Sequence, residues 1–198
     1  AYDNNLYALS AANGQFLWKY ATEGGVVGQP AVADGTVYFG SQDHQLYAVM
    51  ARSGKISWTY QTSAPIRSSA RIAEGHVFAG SDDGYLHAVN LITGRASWKV
   101  EIGGPVRSSP FISKDAIYIG SEAGEVCCLD FRGQVRWRFH AKRAVTSSPV
   151  YSGGTVFVAS LDGNFYALDG KSGWVVWRYR MGKGSVSSAC RVENLVIF

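Results

Sequence analysis

The sequence is short of several things. Of 198 residues only three are cysteine and five are proline, and charged residues make up 17% against a usual ~25% in globular domains. Cys127 and Cys128 are adjacent and Cys190 stands apart, so the even, spaced thiols that staple small secreted domains are missing. The core is therefore expected to hold by packing. No apolar run approaches the ~18 residues of a membrane-spanning helix. Nineteen Lys and Arg against fifteen Asp and Glu leave a net charge of +4, with no block of about five like charges. That bias is too weak to argue for nucleic acid. Neither an initiator methionine nor a basic, apolar leader is seen, and the compartment cannot be read from these residues.

Glycine, by contrast, is plentiful: 23 residues, above the usual ~7%. Hydrophobic residues are 46% and aromatics 13%. This balance fits a compact domain spanning residues 1–198, not a disordered or coiled-coil chain.

An internal repeat organises the whole chain. Trp18, Trp58, Trp98, Trp137 and Trp177 lie 40, 40, 39 and 40 residues apart, and glycines 14, 54, 94, 133 and 173 precede each by four residues. The runs TVYFGS, HVFAGS, AIYIGS, TVFVAS and LVIF keep the same step, as do LYAL, LYAV, LHAV, VCCL and FYAL. Such a period marks a repeat architecture. Within one period the residues read as four short strands: RSSARIA over 67–73, then HVFAGS, YLHAV and ASWKV, separated by Glu74-Gly75, Asp82-Asp83-Gly84 and Thr93-Gly94. No helix is expected. In LYAV, Leu46 and Ala48 point to one face and Tyr47 and Val49 to the other, so the sheet must be covered on both sides.

Small four-stranded sheets stacked face to face around an axis meet that need, which predicts an all-β propeller of antiparallel four-stranded blades. The chain opens on AYDNNLYAL, which matches a third strand, and ends on LVIF, which matches a second. Joined, they rebuild one period. The expectation is five blades, at about 1–27 plus 186–198, 28–66, 67–106, 107–145 and 146–185, closed by pairing N-terminal with C-terminal strands. A slice of a larger, roughly seven- or eight-bladed ring is the alternative. Each periodic tryptophan would bury ~150–250 Å², roughly 4–6 kcal/mol of gross transfer energy, making Trp18, Trp58, Trp98, Trp137 and Trp177 the blade anchors. Trp174, off the period, is free for the surface.

The run ALSAANGQFLW from Ala8 resembles the tryptophan-docking motif A-x-D-x-x-T-G-x-x-x-W of the PQQ-like, or quinoprotein-like, propeller repeats. It returns as AVMARSGKISW, AVNLITGRASW and ALDGKSGWVVW, while CLDFRGQVRW from Cys128 is one residue shorter. The resemblance covers the whole chain and is specific for the repeat, less so for any activity. Similar repeats occur in the bacterial outer-membrane barrel-assembly lipoprotein and in sensor domains of bacterial serine/threonine kinases. Resemblance alone favours a periplasmic or other extracytoplasmic location.

The same family includes PQQ-dependent alcohol dehydrogenases, in which two adjacent cysteines form a ring against the cofactor. Cys127 and Cys128 take the places of Tyr47-Ala48 in a third strand, where neighbours point to opposite faces. Adjacent Cα atoms are ~3.8 Å apart, below the ~4.4–6.8 Å of ordinary disulfides. Two free buried thiols are expected, and Cys190 is read as core or edge packing. The pairs Ser68-Ser69, Ser108-Ser109, Ser147-Ser148 and Ser187-Ser188 recur too regularly for nucleophiles, and His44, His76, His87 and His140 fall in different phases of the repeat. Asp3, Asp43, Asp83 and Asp162 share one position and are read as turn formers, not as a calcium site. GKGSVS lacks the spacing of a phosphate loop.

One non-periodic feature remains. The loops from each fourth strand to the next first strand carry Arg67, Arg107, Lys142, Arg143 and Lys183, all on one end of the ring. They are read as a candidate face for a protein partner or a small anionic ligand; the alternative is ordinary solvated charges paired with Asp43, Asp82 or Glu122 on the neighbouring loops. With no converging acid, base or metal cluster, the expectation is a non-catalytic scaffold for protein interaction or ligand sensing. No enzyme activity, metal or cofactor is assigned. A fragment of a PQQ-dependent dehydrogenase is the alternative.

Overall fold

Twenty short strands and no helix make up the residues that the structure, a computed structural model, describes, namely 3–192 and 195–198. It follows that no helix here could cross a membrane. The first hairpin joins β1 (Asn5–Leu9) to β2 (Phe16–Ala21). Four meandering sheets follow: β3 (Ala31–Ala33), β4 (Thr36–Gly40), β5 (Gln45–Met50) and β6 (Ile56–Gln61); β7 (Arg71–Ala73), β8 (His76–Gly80), β9 (Tyr85–Asn90) and β10 (Ala96–Glu101); β11 (Phe111–Ile112), β12 (Ile117–Gly120), β13 (Glu125–Leu129) and β14 (Val135–His140); β15 (Val150–Ser152), β16 (Thr155–Ala159), β17 (Asn164–Asp169) and β18 (Val175–Arg180). A last hairpin joins β19 (Cys190–Val192) to β20 (Leu195–Ile197). These are propeller blades, and every neighbouring pair is antiparallel.

The turns follow from residue chemistry. Asp34-Gly35 and Glu74-Gly75 have positive φ at both positions (47° and 73°; 47° and 71°), the two-residue hairpin turn whose twist matches the strands it joins. The middle strands β4, β5, β8, β9, β12, β13, β16 and β17 are buried on both faces, because each sheet is sandwiched by its neighbours. The core is correspondingly divided. One cluster joins Tyr38, Leu46 and Ala48 to Ile66, Val77 and Val89 of the next blade; another joins Phe78 and Leu86 to Ile117, Cys127 and Leu129.

The tryptophans dock across these interfaces. The indole N–H of Trp18, Trp58, Trp98 and Trp137 donates to the carbonyls of Ala51, Leu91, Phe131 and Gly170, at 2.8, 3.1, 3.1 and 3.0 Å, always 33 residues ahead. The ring lies on the next repeat's glycine: a Cβ on Gly94, at φ +68°, would fall 2.7 Å from the Trp58 ring. Gly54, Gly133 and Gly173 stand likewise against Trp18, Trp98 and Trp137. The glycine is thus needed both for its left-handed backbone and for the ring above it.

Trp177 differs from the other four anchors. It packs on Phe157 and Phe165 but is 44% exposed, and Gly14, the equivalent platform, has nothing within 4 Å of a Cβ. Among the described residues β1–β2 and β19–β20 are two separate two-stranded sheets, and β18 is exposed along its length. Pairing between the N-terminal and C-terminal hairpins is not seen among the described residues. The seam residues Ala1 and Tyr2 lie outside the described residues.

First strands are shorter than expected: β7 starts at Arg71, not at Arg67. Ser68 Oγ donates to Gly80 O and accepts from Gly80 N–H at 2.9 and 2.7 Å, replacing ladder bonds with side-chain bonds. Ser69 Oγ accepts from Gln29 N–H, Ser109 Oγ from Ser69 N–H, Ser148 Oγ from Ser109 N–H and Ser188 Oγ from Ser148 N–H, at 2.9–3.0 Å. One hydroxyl per repeat therefore stitches successive blades around the axis.

Candidate interaction face

Two sets of loops meet at one end of the stacked blades: those entering each first strand and those joining each second strand to the third. Satisfying the backbone groups there is the work of a serine in each of the four full blades and of an aspartate in three of them. Ser41, Ser81, Ser121 and Ser160 are buried and donate to the carbonyls of Gly24, Ala64, Gly103 and Arg143 at 3.0, 3.0, 2.7 and 3.1 Å. Asp43, Asp83 and Asp162 each gather donors from three residues. Asp162 accepts from Lys142 N–H (3.1 Å), Asn164 N–H (2.9 Å) and the Tyr166 hydroxyl (2.7 Å). Asp43 does the same with Glu23, Gln45 and Tyr47. Burial would raise the Asp162 carboxyl, but these bonds outweigh it and hold the group below the usual range.

Asp83 is a variant of this arrangement. It accepts from Ser63 and Tyr85 N–H at 3.1 and 3.2 Å, and His87 replaces the tyrosine, its Nε2 3.1 Å from both carboxylate oxygens. Tyr60 Oη lies 3.1 Å from the other ring nitrogen. Burial lowers the His87 pKa despite the carboxylate beside it. The aspartates are spent on loop geometry, as turn formers.

The five predicted basic residues divide into two groups. Arg67 Nε and Arg107 Nε both reach Asp82, each at 3.0 Å, and Arg107 Nη1 meets Glu122 at 2.8 Å. Bonding to Asp82 pushes the Arg107 pKa above its ordinary value. Asp82, 11% exposed at its side chain, is their shared partner, one of the three carboxylates that the alternative reading of these loops names. Lys142, Arg143 and Lys183 are exposed, with no ion pair among the described residues. Of these five, the residues without an ion pair lie in the loops before β15 and β19.

The other candidates do not converge. Cys127 and Cys128 are free, fully buried and in different inter-blade clusters. Burial pushes their thiols up to about 12 and about 11, so neither is a thiolate near neutral pH. They present no common surface to a planar cofactor. Cys190 is exposed on the edge strand β19. Among the described residues no three His, Cys, Asp or Glu are placed to hold a metal ion.

The model of the family described as outer membrane protein assembly factor BamB matches residues 1–112 and 83–197. No functionally curated protein matches the chain in sequence. Among solved structures, BamB from Moraxella catarrhalis superposes with a TM-score of 0.80 at 19% identity, over 92% of this chain and 61% of that one. The computationally designed Ika8 protein gives 0.88 at 17% identity, over 99% and 62%. The quinohemoprotein alcohol dehydrogenase ADHIIG from Pseudomonas putida HK5 gives 0.71 at 19% identity, over 81% and 35%. The chain thus spans less than two thirds of each. At these identities the likeness is one of fold, which an assembly factor, a designed protein and an enzyme share.

Proposed function

Since the chain belongs to the family described as outer membrane protein assembly factor BamB, we propose that it is a non-catalytic propeller module that binds another protein through its loop face. The observation that carries this reading is the division of labour among its polar groups. Serines and aspartates that could serve chemistry are bonded to backbone, while Lys142, Arg143 and Lys183 stand exposed on adjacent loops. Three unpaired cations suit an acidic loop on the partner and raise its encounter rate in a salt-dependent way. The family supports a periplasmic, outer-membrane-associated setting.

The test is retention of envelope proteins by the immobilised chain, identified by mass spectrometry. Wild type and Lys142→Glu/Arg143→Glu/Lys183→Glu should melt together, and the proteins held by wild type should be lost from the variant. Equal retention by both would rule out this face. The rival reading, a fragment of a PQQ-dependent dehydrogenase, draws on the fold of ADHIIG, but the Cys127-Cys128 pair does not offer that chemistry a surface.

A further inference from the structure

One blade lacks the carboxylate around which its neighbours are built. In the blades of β5, β9 and β17, an aspartate gathers the N–H of an incoming loop, the N–H at the start of the third strand, and a side-chain donor two residues further along. In the blade of β13 the aspartate position is Ala123 and the side-chain position is Cys127. Both members of the pair are gone at once. The equivalent backbone groups, Gly103 N–H and Glu125 N–H, have no carboxylate at position 123 to donate to.

A guanidinium takes the place of the missing hydroxyl. Arg138, opposite Cys127 on β14, has Nη1 3.3 Å from both Cys127 Sγ and Ile102 O, and Nη2 2.7 Å from Glu101 O. Around it opens a cavity of 310 Å³ lined by Glu101, Ile102, Gly103, Ala123, Glu125 and Arg138. The corresponding recess in the first full blade contains Asp43 and Tyr47, so there the chain supplies its own anion.

We propose that the cleft between the blades of β10 and β13 is a binding site for a carboxylate, which replaces the side chain that Ala123 lacks. Two backbone N–H groups and a guanidinium are the donor set that holds carboxylates through charge-assisted bonds. The lining carboxylates limit access by larger anions. Glu125 is engaged by His140 Nδ1 at 2.9 Å, and Glu101 lies at the exposed rim, so a compact, singly charged group is the one that fits. It can come from a small free acid or from an aspartate on a partner protein. The proposal does not rest on the scaffold reading, since it concerns a different cleft and different residues.

The probe is sodium acetate, titrated into the ¹⁵N-labelled full chain against sodium chloride at equal ionic strength. Gly103 and Glu125 amide signals should shift in a saturable way with acetate and not with chloride. A capped Gly-Asp-Gly peptide, with Gly-Asn-Gly as control, forms the second arm. Tighter binding of the aspartyl peptide assigns the carboxylate to a partner chain; tighter binding of acetate assigns it to a small acid. Arg138→Met should weaken either about tenfold or more. Ala123→Asp should restore the internal anion, abolish the acetate-induced shifts and raise the melting temperature. No amide shift with either probe, persistence of the shifts in Ala123→Asp, or a lower melting temperature for that variant would each overturn the proposal.

Discussion

A periodic tryptophan stabilises this fold only where the next repeat gives it a floor and an acceptor. Trp98 has both, in Gly133 and Phe131 O; Trp177, 44% exposed, has neither among the described residues. Trp98→Ala is therefore expected to cost about 3–5 kcal/mol and Trp177→Ala roughly 1 kcal/mol or less, read from urea unfolding midpoints. Equal losses would mean that the anchors do not work through the docking glycine. A second residue-scale test concerns acid stability. The folded His87 pKa lies below its ordinary 6.5 because of burial, so between those values the unfolded chain binds more protons. The His87 contribution is complete above pH 6.5 and is lost as pH falls below it. His87→Tyr, the residue found at positions 47 and 166, should remove that loss. A further decline below about pH 3.8 should remain, because Asp83 and Asp162 are held below that value. Unfolding free energies of the two proteins between pH 7 and 4 check this; parallel curves would contradict it.

At the scale of the element, most of the blade was legible in the sequence. The 40-residue period, Trp–Gly spacing and two-sided apolar alternation determine strand number, order and burial. What was not legible depends on partners far apart in the chain. The shortening of β7 needs Ser68 bonded to Gly80 and Ser69 bonded to Ser109, and no local pattern distinguishes such a serine from a strand residue. Similarly, Asp43, Asp82 and Glu122 could be named as partners for the loop cations from the sequence, but which cations are paired could not: Arg67 and Arg107 share Asp82 from another loop. The vacated position at Ala123 did have a signal, since SEAGEV breaks the series SQDHQL, SDDGYL and SLDGNF. Its meaning emerges only once the donors converging on the other three aspartates are seen. The terminal hairpins supply a prediction here. As two-stranded sheets among the described residues, β1–β2 and β19–β20 should exchange amide hydrogens much faster than β8–β9 or β12–β13. Equal protection would show the ends paired in solution.

At the scale of the whole molecule, the stacked blades and their loop face do separate work. Each blade buries its sheet against the next, so the repeats need one another for stability but not any particular chemistry at the loops. Function is then free to reside in departures from the repeat: the unpaired cations of Lys142, Arg143 and Lys183, and the cleft at Ala123. The proposed reading, a binding module and not a quinoprotein catalyst, is checked by calorimetric titration of the purified chain with PQQ in the presence of calcium. No saturable heat is expected. Stoichiometric, tight uptake of the cofactor would contradict it.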